Sequence, residues 1–226
     1  MKTSTIHHHI SEPLLLEYAA GTLEEGWSLA VATHLALCPH CRQQLRLMEA
    51  AGATMLEELA PEPAAISEDH SWNALLARLN DAHAEPQQPP RPEPVAETAL
   101  LVPEPLRSYI GGSLESVQWR RLGLNAHQAI LQPDGGAVQA RLLRVGPGQP
   151  LPEHSHGGRE LTLVLKGSYI SEGQLFAAGD LEEEDDETLH SPVVTGDGEC
   201  ICLVVTDAPL RFQSRLMRMV QPLLGI

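Results

Sequence analysis

The chain is poor in positive charge: 15 lysines and arginines stand against 30 aspartates and glutamates, for a formal net charge of −15 over 226 residues. That balance excludes binding to nucleic acid by neutralising phosphates, and it suits a basic protein partner better. Long apolar runs are missing too. Met1–Ile10 is polar and histidine-rich, which argues against a signal peptide, and no later stretch is long enough to span a bilayer. A cytoplasmic location is the default expectation. Cysteine is scarce, with four residues in two close pairs, Cys38/Cys41 and Cys200/Cys202; in a reducing compartment the first spacing reads as a metal or redox site rather than a structural disulfide. No repeat of solenoid length is present.

Three zones follow along the chain. Residues 1 to about 84 carry apolar residues at helical spacing. Ser11 is placed to start a short helix over Glu12–Ala20, with Gly21 to end it. Thr22 and Glu25 read as a capping box ahead of a helix whose apolar positions are Leu23, Trp27, Ala30, Val31, Leu35 and Cys38. Pro39 can open a third helix running to Leu59, with Cys41, Leu45, Met48 and Met55 on its stripe. Trp72, Leu75, Leu76 and Leu79 suggest a fourth. From 85 to 105 the text changes: seven of the eighteen prolines lie between Pro86 and Pro105, a composition that behaves as an extended spacer. From 106 to 226 the period becomes that of strands, over Val117–Gly123, Ala126–Gln132, Ala137–Val145, Leu161–Ser171 and Glu199–Thr206. The acidic run Glu182–Glu187 between two of these reads as a solvated loop. The expected class is α+β multidomain, a helical bundle followed by an all-β sandwich or jelly-roll barrel.

Two groups of residues carry metal chemistry. In His34-Leu-Ala-Leu-Cys38-Pro-His-Cys41, residues four apart on a helix share a face, so His34 and Cys38 point the same way. Cys41 begins the next helix and can close on the same ion. A structural zinc site takes four ligands, and the run His7-His8-His9 is the nearest source of the fourth, unless those histidines form only a tail. A thioredoxin-like redox pair is the competing reading, but that motif normally follows a strand.

The second group is Gly148-(five residues)-His154-Ser-His156-(three residues)-Glu160-(six residues)-Gly167. Alternate strand residues share a face, which directs His154 and His156 together. This spacing resembles the first cupin motif at every position. The second cupin motif would supply His190 after Gly179-Asp180, although Val194 stands where its closing asparagine is expected. Three histidines and a glutamate accept zinc, manganese, iron, nickel or copper. Cys200 and Cys202 share one face of an apolar strand, either as inert buried thiols or as an oxidisable pair near the cavity.

HxxxCxxC on a helical pair, followed by a cupin, resembles the zinc-binding anti-sigma family and its ChrR-type members. The resemblance implies that an N-terminal histidine completes the first site, and His9, followed by Ile10-Ser11-Glu12, fits that place best. It implies zinc on His9, His34, Cys38 and Cys41, and zinc again in the cupin on His154, His156, Glu160 and His190. It further implies that the helical unit is clamped, about one to one, between two domains of an extracytoplasmic-function (ECF) sigma factor, with release on singlet oxygen or related oxidants. The rival reading makes the cupin a metalloenzyme, a dioxygenase or isomerase, with the zinc unit for docking; fold alone does not decide between them.

Overall fold

A computed structural model describes residues 5–60, 68–81, 102–123, 125–131, 138–186 and 188–212. Most of the predicted spacer, and the chain after 212, lie outside the described residues.

The helices come first: α1 (Glu12–Ala19), α2 (Glu25–Leu37), α3 (Pro39–Glu57), α4 (Glu68–Asp81) and, unanticipated from the sequence, α5 (Glu104–Ile110). Gly21, at φ +68°, follows α1 as expected. The capping box does not form. The Thr22 hydroxyl donates instead to the Glu17 carbonyl, at 3.0 Å, and α2 starts three residues later with Glu24 at its N-cap. Ser11 stands at the head of α1 but donates to Glu183, far along the chain, rather than accepting from the helix.

Twelve strands follow: β1 (Arg120–Arg121), β2 (Ala126–Leu131), β3 (Gln139–Val145), β4 (His154–Ser155), β5 (Glu160–Lys166), β6 (Ser168–Ser171), β7 (Gln174–Ala177), β8 (Leu181–Glu184), β9 (Leu189–His190), β10 (Val193–Val194), β11 (Cys200–Thr206) and β12 (Arg211–Phe212). All pairings among the described residues are antiparallel. A six-stranded sheet runs β1-β2-β3-β11-β5-β8, and it faces two three-stranded sheets, β10-β6-β7 and β12-β4-β9. This is the jelly-roll arrangement of a cupin, with open rather than closed sheets. The predicted run Leu161–Ser171 is two strands, broken at Gly167. That residue has φ +78°, and any Cβ there would lie 2.3 Å from the Glu199 carbonyl oxygen. Only Arg120–Arg121 of the predicted Val117–Gly123 strand forms a ladder.

The acidic run is a correction. Glu182–Glu184 belongs to β8, paired with β5 in the register Glu160↔Glu184, Leu161↔Glu183, Thr162↔Glu182. Alternation splits the three carboxylates: Glu182 is buried on the inner face, where it accepts from the Tyr169 hydroxyl at 2.5 Å. Glu183 turns the other way, toward the helices.

β5 and β11 show why the helices stay with the sheet. All seven residues of β11 are buried. Leu161, Leu163 and Leu165 of β5 and Ile201, Leu203 and Val205 of β11 join Trp27, Ala30, Val31 and Leu35 of α2 in one core. Their alternates Val164, Cys200, Cys202 and Val204 pack with Tyr169 and Phe176 between the sheets. A sheet covered on both faces needs no polar face, hence the unbroken apolar text. Gly26 lets α2 sit this close: a Cβ there would meet Val138 Cγ1 at 2.7 Å.

Candidate metal centres

The first cluster forms where α2 hands over to α3. Cys38 ends α2 and is the N-cap of α3, its sulfur accepting from the Cys41 backbone N–H at 3.4 Å, with Pro39 fixed at the first helical position. The Arg42 guanidinium donates to the carbonyls of Leu35 and Ala36, which satisfies the end of α2 beside the cluster. His34, one turn before Cys38, is fully buried. His9 arrives from outside the helical pair, so the four residues His9, His34, Cys38 and Cys41 converge, their ligand atoms all within 4.8 Å of one another.

The spacing inside the cluster suits a tetrahedral ion. His34 Nε2 lies 3.3 Å from Cys41 Sγ, and Cys38 Sγ lies 3.4 Å from His9 Nδ1. With Zn–N near 2.0 Å and Zn–S near 2.3 Å, the nitrogen–sulfur edge of a tetrahedron is about 3.5 Å. Protonation points the same way. Burial, with the nearby His9 ring, lowers His34 to about 4 against weaker help from the Gly179 backbone and Asp180, so the ring is neutral and fit to ligate. Burial pushes the Cys41 thiol up to about 12, so a thiolate there needs a cation beside it.

His9 is positioned by the barrel. The Asp180 carboxylate, buried at the turn between β7 and β8, accepts from the backbone N–H of His7 at 2.7 Å and of His8 at 2.9 Å through one oxygen. Its other oxygen accepts from Ala177 N–H at 2.8 Å. The Leu181 N–H reaches the His8 carbonyl at 3.3 Å. Beyond His9, both Glu183 oxygens hold Ser11, its N–H at 2.7 Å and its hydroxyl at 2.8 Å. Asp180 and Glu183 thus grip the segment on either side of His9. Sequence reasoning missed both. The text after Gly179-Asp180, Leu181 followed by three glutamates, carries no alternation that marks it as a strand.

The second cluster lies between the sheets. His154 on β4, His156 just beyond it, Glu160 at the start of β5 and His190 on β9 are all buried, with ligand atoms within 4.8 Å. His190 Nε2 lies 3.1 Å from both His154 Nε2 and His156 Nε2. One ring nitrogen cannot serve two such neighbours as a hydrogen-bond partner, whereas a shared cation satisfies all three lone pairs. The His154 Nδ1–H donates to the Pro152 carbonyl at 2.8 Å, which turns the Nε2 lone pair inward. His190 Nδ1 has Ser171 Oγ at 3.3 Å and Glu184 Oε1 at 3.6 Å behind it, partners that the sequence did not suggest. Burial, then the neighbouring histidines, lowers His190 to about 3 and His156 to about 4. Burial raises Glu160 to about 7, against a hydrogen bond from Thr162. Both clusters fit metal binding by donor type and geometry, and each collects the residues singled out from the sequence.

Above the second cluster opens a cavity of about 820 Å³, walled by Leu143, Val145, Leu151, Val194 and Val204, with Arg141 among them. Cys200 and Cys202 are free thiols in the same wall, their sulfurs 3.6 Å apart.

Residues 110–209 match the family model described as the ChrR cupin-like domain. The chain is 47% identical over 222 residues to the anti-sigma-E factor ChrR of Cereibacter sphaeroides, covering 98% of this chain and 100% of that protein. Among solved structures it matches a chain of the crystal structure of Rhodobacter sphaeroides SigE in complex with the anti-sigma ChrR. The TM-score is 0.74 at 45% identity, over 89% of this chain and all of the matched one.

Proposed function

Since this chain belongs to the ChrR family of anti-sigma factors, we propose that it sequesters an ECF-type sigma factor through its helices and is a regulator rather than a catalyst. The observation that carries the reading is an uncovered apolar stripe. On α4, Trp72, Leu75, Leu76 and Leu79 recur at helical spacing, and Trp72 is 59% and Leu79 57% exposed. Met55 and Leu56 in the last turn of α3, and Leu59 just beyond it, are open as well. Apolar side chains so arranged await a partner. A chain of net charge −15 favours a basic one, as a DNA-reading sigma factor is.

In this reading His9, His34, Cys38 and Cys41 hold a structural zinc that staples α1–α3, and His154, His156, Glu160 and His190 hold a second divalent ion, zinc by family. Residues 1–84 form the inhibitory unit, 85–105 the linker and 106–226 the cupin. No described helix is long and apolar enough to cross a membrane. We place the protein in the cytoplasm, where its partner works. Oxidants of the singlet-oxygen type are the signal we assign to the cupin.

The test is co-expression with the sigma factor and reconstituted transcription. The full chain should form a 1:1 complex that blocks transcription, and Cys38→Ala or Leu76→Asp should abolish it. In cells, His154→Ala or Glu160→Ala should leave inhibition intact and blunt release by oxidant. A full chain that binds no sigma factor would sink the regulator reading and send attention to the barrel as a metalloenzyme.

A further inference from the structure

Between the candidate ligands His156 and Glu160 stand only Gly157, Gly158 and Arg159, so this loop is tied at both ends to the second cluster. We propose that Arg159 is the link that reports the state of that cluster to the helices, at the junction of α1 and α2. This link deepens the sequestration reading above and rests on it only for the release of a partner.

The loop is held on two sides. On the barrel side the Arg159 backbone N–H donates to Asp207 Oδ1 at 3.0 Å, just beyond β11. Gly158 lies so near the same carboxylate that a Cβ there would stand 2.0 Å from Oδ1. With no room to give on that side, a rearrangement of the loop is passed to the other. There Arg159 reaches the helices. Its guanidinium donates to Glu17 Oε2 at 3.2 Å, in the last turn of α1. Its Cζ lies 6.0 Å from the centre of the Trp27 ring, near the start of α2. One side chain from the metal loop thus spans both helices.

These contacts are too weak to be what holds the helices. Arg159 and Glu17 are 41% and 43% exposed, where an ion pair adds little to stability, and an exposed arginine over an aromatic ring adds little more. α2 is seated by its apolar side, with Trp27, Ala30, Val31 and Leu35 in the core shared with β5 and β11. Breaking the Arg159 contacts therefore leaves α2 in place. A contact that is made or broken without unfolding, on a loop whose two ends belong to one cluster, has the properties of a switch. While His156 and Glu160 are joined through that cluster, the loop ends are fixed and Arg159 is presented to Glu17 and Trp27. Once the set is broken, the ends part and that presentation is lost. The difference in contact couples the two states.

The experiment uses the full-length chain with its zinc counted and no partner present. The chain has three tryptophans, so its indole N–H resonances are few, and Trp27→Phe assigns the one required. The Trp27 resonance should stand at different positions in the two-zinc chain and in His190→Ala, which breaks the cupin set and leaves the cysteine cluster its zinc. His154→Ala supplies the same comparison if His190→Ala does not fold. In Arg159→Ala the two positions should coincide. Arg159→Lys should restore part of the difference, and Glu17→Gln, which keeps the cation over the ring, should retain part of it. In cells, Arg159→Ala should keep inhibition and lose release by oxidant. A Trp27 resonance indifferent to the cupin zinc, or a difference undiminished in Arg159→Ala, would overturn the link even in a chain that sequesters its sigma factor. A chain that shows the shift and its loss but binds no sigma factor would keep the link and refute the partner reading. A chain that takes up a single zinc would overturn both the cupin metal reading and the link.

Discussion

Asp180 offers the sharpest perturbation, because it belongs to the barrel yet holds the segment that delivers His9. Replacing it with alanine removes the acceptor for two N–H groups of that segment, at 2.7 and 2.9 Å, and for Ala177 N–H. Hydrogen bonds to an ionised carboxylate contribute about 1.5–3 kcal/mol each. The two on the segment are part-buried, so the lower figure applies and their loss releases about 3 kcal/mol of ordering. If that ordering is what presents His9 to the ion, zinc affinity should fall by up to about 100-fold. The Ser11–Glu183 contacts survive and still restrain the far side, so we expect a loss of about 10- to 100-fold. Asp180→Asn, which keeps acceptor oxygen but no charge, should fall between. Cobalt substitution provides a selective assay. Only the first cluster contains cysteine, so a thiolate-to-cobalt absorption band reports it alone while a chelator competes. An unchanged competition curve in folded Asp180→Ala would refute the claim that the barrel positions His9.

Other outcomes follow from the same geometry. Gly26→Ala should cost about 1–3 kcal/mol by overpacking α2 against Val138, and lower Tm by several degrees in a thermal melt. An unchanged Tm would mean the helix is not seated on the sheet. His34, His156 and His190 are held near 4, 4 and 3 against about 6.5 in an unfolded chain. The unfolded chain thus binds more protons between those limits, so stability is full above about pH 6.5 and falls as the pH drops toward 4. Glu160 and Glu184, each raised to about 7 chiefly by burial, act with the opposite sign, their contribution being present below about 4.5 and lost as the pH rises through 7. Three histidines outweigh two carboxylates, and Tm of the metal-free chain should fall from pH 7 to pH 5; a rise would overturn that ordering. Glu184→Gln should weaken cupin metal affinity about tenfold by unsupporting His190, and equal affinity would remove it from that role.

The metal clusters were legible because their spacing is local: i to i+4 on α2, alternate residues around β4, and a glutamate at the head of the next strand. His190 lies 34 residues from His156 and was reachable only because a motif linked them. His9 was chosen from three neighbouring histidines through resemblance, since nothing in residues 7–9 alone says which one turns toward Cys38. What stayed hidden was long-range. The run Cys200–Thr206 shows no alternation, so it announces burial on both faces but not that α2 provides the outer cover. Three consecutive glutamates look solvated until β5 is laid beside them. Thr22 and Glu25 satisfied a capping pattern, yet the Thr22 hydroxyl found the end of α1 first. Arg141 resembles any strand-borne charge until its inward face is known.

β8 is the outermost strand of the six-stranded sheet, and the backbone of the N-terminal segment meets it through Leu181 N–H and the His8 carbonyl. Strand margins left bare invite a second copy of the chain to pair with them, and proteins avoid this by covering them. Here the cover also carries a candidate metal ligand. Pulling that segment away to loosen the ion would uncover strand margin at the same stroke, and wholesale departure of α2 would strip the leucines of β5 and β11 as well. A chain that had fully come apart in this way would bare a strand margin and an apolar face open to self-association. A parting confined to the His7–Ser11 segment, with the helices still seated on the sheet, would keep that face covered.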